Sequence, residues 1–150
     1  MSREEELMKN ELNNDINNVF EDFLIQGEIR REKEVVEGLT VEVKPLNAEE
    51  LITAESIASE THSGSMDVVA KIRAAGILSQ AITKFAGVPI EKKDCDKKEN
   101  RYRRINLYCQ ILKMPPFVIQ KIYEFYIEVV EEQEKLYSDT EKTIEDFKNF

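Results

Sequence analysis

Apolar residues recur at three- and four-residue steps along most of this chain and alternate singly in one place. Between Arg3 and Leu24, the residues Leu7, Met8, Leu12, Ile16, Val19, Phe20, Phe23 and Leu24 follow the helical period, with Glu, Asn and Asp between them. Asn10, Asn13, Asn14, Asn17 and Asn18 oppose helix formation, because their amides compete for backbone hydrogen bonds. This helix is therefore expected to form only when its stripe packs on something, either the chain's own domain or a neighbouring subunit. Gly27 ends the segment.

The alternating stretch is Leu39 to Lys44, with Leu39, Val41 and Val43 on one face and Thr40, Glu42 and Lys44 on the other. Glu28 to Val36 alternates more weakly, and Glu37-Gly38 between the two pieces suits a tight turn with Gly38 at positive φ. Pro45 stops the strand because it lacks an N–H. Asn47 and Glu50 then have capping-box spacing for a helix reaching about Ser59, with Leu51, Ala54 and Ala58 inward. Ser65 caps the most apolar segment, Met66 to Phe85, which reads as one central helix closed by Gly87. Its polar strip runs through Arg73, Gln80 and Lys84, and Ala74-Ala75-Gly76 allows another backbone to approach.

Val88 to Ile90 reads as a short extended piece, and Glu91 to Glu99 as a charged loop. A helix follows from about Asn100 to Met114, with Tyr102, Ile105, Tyr108, Cys109 and Leu112 expected inward. Pro116 suits the first turn of a last, long helix. Along it Ile119, Ile122, Tyr126, Val129, Gln133 and Leu136 step by alternating threes and fours, a heptad seam that Phe147 and Phe150 rejoin. Ser138 and Glu141 could cap a new helix, which would break this one near Tyr137. The expected fold is α+β and predominantly α-helical: an N-terminal helix, one β-hairpin, then a bundle of about four helices ending in a long C-terminal helix. Residues 1–26 form an arm, 27–137 the core domain and 138–150 a helical extension.

Hydrophobic residues make up 41% of the 150, charged residues 34%, and the net charge is −9, so the chain is globular but strongly acidic. Such a surface repels a phosphate backbone, which makes nucleic acid a poor partner. No apolar run reaches the ~18 residues of a membrane span, and the N-terminal residues lack a signal peptide's apolar core. Cys95 and Cys109 sit in unrelated contexts, as reduced thiols do.

Little in the chain suggests a reaction. His62, the single histidine, lies in a Ser/Thr/Gly loop without a partner for base catalysis. Asp94-Cys95-Asp96 lacks the second ligand pair a zinc site needs. Five scattered glycines form no phosphate-binding loop, so no enzyme and no cofactor are expected. One segment departs from the overall charge: Glu91 to Lys113 carries 8 basic and 4 acidic residues. Lys97, Lys98, Arg101, Arg103 and Arg104 are a candidate contact patch, for acidic helices of this or a sister chain or, as the alternative, for nucleic acid in a small regulatory protein.

The order of pieces resembles small tail proteins of tailed bacteriophages, the group of tail assembly chaperones and baseplate-hub assembly proteins of contractile-tailed phages. The residues that carry the resemblance are Val41, Val43, Pro45, Leu46, Glu49 and Glu50; Gly87, Pro89 and Ile90; and Tyr123, Tyr126 and Glu128. It spans roughly Gly38 to Tyr137. The Asn-rich first helix departs from the family pattern. The resemblance implies a non-enzymatic, protein-binding role in a tail or baseplate, as structural subunit or chaperone. It also implies a place in the host cytoplasm during assembly or in the virion tail. Expected partners are other tail or baseplate proteins, with a homo-oligomer also open. Candidate interaction residues are Leu12, Ile16, Phe20 and Phe23 on the first helix; Val41 and Val43 on the strand; and Tyr126, Gln133, Leu136 and Phe147 on the last helix.

Overall fold

The computed structural model describes residues 2–61 and 65–148, with side chains other than those of residues 12, 20–27 and 139–148. In chain order the elements are α1 (Arg3–Gly27), β1 (Arg31–Val36), β2 (Leu39–Val43), α2 (Ala48–Ser59), α3 (Met66–Ala81), β3 (Ile82–Phe85), β4 (Val88–Pro89), α4 (Lys97–Leu112) and α5 (Pro116–Lys148). The class is α+β and mostly helical, as the periodicity implies.

The strands form one antiparallel sheet in the order β1-β2-β3-β4. The β1–β2 turn has Gly38 at φ 84°. Asn47 and Glu50 form the expected reciprocal cap on α2: Asn47 Oδ1 accepts from the Glu50 N–H at 2.8 Å, and Glu50 Oε1 accepts from the Asn47 N–H at 3.1 Å. Lys44 Nζ donates to the other Glu50 oxygen at 2.6 Å, which ties the end of β2 to the same cap.

The segment Met66–Phe85 is not one helix. It is helical to Ala81, and Ile82 then turns to extended backbone at φ −71°, ψ 121°. Residues 82–85 pair with β2, and a hairpin through Ala86 (φ 51°) and Gly87 (φ 80°) leads into β4. Gly87 therefore closes a two-residue hairpin turn, not a helix, and two consecutive positive φ angles are what such a turn requires. The spacing of Ile82 and Phe85 fits a helix. As a strand, with a register shift opposite Glu42 and Val43 that breaks its period of two, the segment is fixed by pairing with the open side of β2.

α3 and α5 cover one face of the sheet, where Val41, Val43, Leu78, Ile82, Ile111, Ile122 and Val129 form the buried centre. Thr40, Glu42 and Lys84 occupy the other, polar face. α2 lies on α3 at very short range: a Cβ added at Gly76 would stand 2.7 Å from the Ala54 carbonyl oxygen and 3.3 Å from the Ala58 Cβ. That approach is what the Ala-Ala-Gly run anticipates. Leu51 is exposed instead of inward, because Ala54 and Ala58 take up the contact face of α2.

α4 begins at Lys97, three residues earlier than expected, because Asp96 caps it by accepting from the Glu99 N–H at 2.8 Å. Its inward face is also rotated. Arg104, Leu107, Tyr108 and Ile111 are buried, while Tyr102, Cys109 and Leu112 are exposed. α5 runs unbroken past Tyr137 to Lys148, so Ser138 starts no new helix.

Candidate interaction surface

The alternating strand of the hairpin, β2, is not the contact edge its polar face suggested. β2 lies between β1 and β3, and Val41 and Val43 are completely buried beneath α5 and α3, so neither can meet a partner. Burying each Val contributes about 1.5–3 kcal/mol, which makes them core residues. The open edges belong to β1 and to the short β4. One face of β1 is fastened to α5: Arg31 Nε and Nη2 both donate to Glu132 Oε1, at 3.0 and 2.7 Å, and Lys33 lies 3.5 Å from Glu128 and above the Phe125 ring.

The heptad seam of α5 divides in two. Ile119, Ile122, Tyr126 and Val129 are buried in the chain's own core, together with Phe125, which the seam omitted. Burial raises the Tyr126 phenol above its usual pKa, against a hydrogen bond with the Leu46 backbone that lowers it. Gln133 is half-buried and Leu136 exposed, so the seam leaves the buried core beyond Val129. The side chains of Leu12, Phe20, Phe23 and Phe147 lie outside those described, as does the whole of His62. Ile16 is exposed.

The basic cluster also divides. Arg104 is only 9% exposed, and its guanidinium serves the end of α3. Nη1 donates to the carbonyls of Ser79, Gln80 and Ile82 at 2.9, 3.0 and 3.1 Å, and Nε donates to Glu91 at 2.8 Å. The Leu78 carbonyl is taken by the Ile82 N–H, and that of Ala81 by the Lys44 N–H at 3.0 Å. All four terminal carbonyls of α3 are therefore satisfied, two of them by one arginine. Arg103 donates to the Ile90 carbonyl and, at 3.0 Å, to that of Pro89, which locks β4 onto α4. These two arginines are structural, and the contact patch shrinks to Lys97, Lys98 and Arg101. The rotated face of α4 was present in the sequence as Arg104-x-x-Leu107-Tyr108-x-x-Ile111, a stripe visible only if an arginine is admitted to it.

Rotation of α4 turns outward the stripe expected to be buried. Tyr102 (64% exposed), Cys109 and Leu112 are exposed and Ile105 is half-buried, at steps of three, four and three, with Lys98, Arg101 and Lys113 beside them. α1 presents a second apolar stripe, with Met8 70% and Val19 69% exposed. Asp96 is used as a helix cap, and the Cys95 thiol is pushed up by its hydrogen bond to Glu99, which makes it a poor nucleophile. A cleft of about 850 Å³ between α3 and α5 is lined by Val69, Ile77 and Tyr123, with Glu55 and Asp67 offsetting Lys71 and Arg73. Among the described residues no group of acidic, His or Cys side chains could hold a metal, and no helix is long and apolar enough to cross a membrane. The chain matches no known protein family, no curated protein and no solved structure.

Proposed function

We propose that this chain is a non-enzymatic protein-interaction component of a bacteriophage tail or baseplate, acting as a small structural subunit or an assembly chaperone. The observation that carries the reading is α1, a 25-residue helix whose Leu7, Met8, Ile16 and Val19 all remain exposed. A helix so rich in asparagine has little stability of its own, and its apolar face gains from being covered. The exposed stripe of α4 adds a second surface of the same kind. The resemblance over Gly38 to Tyr137 supplies the tail assignment, and its Tyr123, Tyr126 and Glu128 lie on α5, which packs into the core. A nucleic-acid role loses Arg103 and Arg104, two of its five cations, to carbonyl contacts within the fold.

Affinity isolation from the native source, with purified particles assayed for this chain, tests the proposal. A fixed copy number in the particle supports a subunit. Absence from the particle together with capture of tail proteins supports a chaperone. Recovery of RNA or DNA alone overturns both.

A further inference from the structure

Resting on the reading of the chain as an interaction protein, we infer that its partner includes a second copy of itself: α1 of one copy docks on the outward face of α4 in the other. Both faces are apolar stripes left uncovered, and their charges are complementary. α1 carries 7 acidic and 2 basic residues, and Glu4, Glu11 and Asp15 follow one flank of the line through Met8, Ile16 and Val19. The α4 stripe Tyr102–Ile105–Cys109–Leu112 is bordered by Lys98, Arg101 and Lys113. Lys97, Lys98, Arg101 and Lys113 form no ion pair among the described residues, in a chain whose net charge is −9.

The position of these cations is itself informative. Lys97 and Lys98 stand in the first turn of α4, where the helix dipole disfavours positive charge. Carboxylates of an incoming helix would offset that cost. The cleft between α3 and α5 offers no such match, since its acidic and basic residues cancel. The same chain does not bring the two faces together: α1 enters the sheet at β1, and α4 is tied by Arg103 to β4 at the opposite edge. Exchange of α1 helices between two copies covers both stripes twice and closes the pair.

The test uses charge reversal in the full chain, followed by sedimentation or light scattering across a concentration series. One variant carries Lys98→Glu and Arg101→Glu; the other carries Glu4→Lys, Glu11→Lys and Asp15→Lys. All five sites are exposed, and unchanged circular dichroism establishes that each variant folds. The wild type is expected to dimerise. Each variant alone loses affinity by about a hundredfold, since several surface pairs are turned repulsive at both contacts. Mixing the two variants restores the dimer, because both contacts become complementary again. A monomeric wild type, variants that still dimerise alone, or a mixture that stays monomeric overturns the inference. If the wild type is monomeric yet captures tail proteins, the proposed function stands and only the second copy is excluded.

Discussion

Replacing Arg104 by Met removes the donors that close the end of α3 while keeping an unbranched side chain of similar reach. Three carbonyls, those of Ser79, Gln80 and Ile82, lose their partner. A buried carbonyl left unsatisfied costs about 1–3 kcal/mol. The three share one guanidinium, and a neighbouring cleft of about 390 Å³ lined by Gln80 and Arg101 admits water to replace part of the loss. The net cost is therefore about 2–4 kcal/mol, below the simple sum. The ion pair to Glu91 adds little, because that carboxylate is 53% exposed, and Glu91→Gln is expected to cost under about 1 kcal/mol. Arg104→Lys falls between the two, since an ammonium cannot reproduce the planar fork. Urea unfolding followed by circular dichroism measures all three variants, with the slope checked for constancy. For a chain of this size the melting temperature of the Met variant should drop by roughly 5–15 °C. Equal, small effects of Arg104→Met and Glu91→Gln would refute the assignment of Arg104 as the cap of α3.

Four further perturbations probe other parts of the fold. Gly76→Ala gains about 1 kcal/mol of helix propensity, yet its Cβ meets the Ala54 carbonyl at 2.7 Å, so unfolding experiments should show net destabilisation of about 1–2 kcal/mol. Gly38→Ala meets nothing within 4 Å and costs about 1 kcal/mol through its positive φ alone; a larger loss would point to a contact the turn does not show. Glu42→Pro interrupts a strand paired on both sides and should cost about 3 kcal/mol or more, seen as a protein that expresses poorly or melts early. Tyr126 keeps its proton to higher pH in the folded chain than in the unfolded one, so stability falls as pH rises above the ordinary tyrosine value of about 10. Tyr126→Phe should flatten that decline, and an unchanged alkaline profile would show that the buried phenol does not titrate as argued.

Much of this fold is local and was legible residue by residue. Gly38 marks a turn because it accepts positive φ, Asn47 and Glu50 mark a helix start because their side chains reach each other's N–H, and Pro116 starts α5 because a first-turn residue needs no donor. Asp96-x-x-Glu99 carried the same kind of signal for the start of α4. These are interactions across three or four residues, and the sequence alone determines them. The β3 strand, the inward face of α4 and the fate of the basic cluster depend on distant partners. Ile82 to Phe85 is extended because β2 offers it an unpaired edge, and Arg104 is buried because the end of α3 leaves carbonyls with no other donor. Once Arg104 points inward, the apolar stripe of α4 turns to the surface. Val41 and Val43 show the converse: alternation showed that they share a face, but only the packing of α3 and α5 decided that this face is the core.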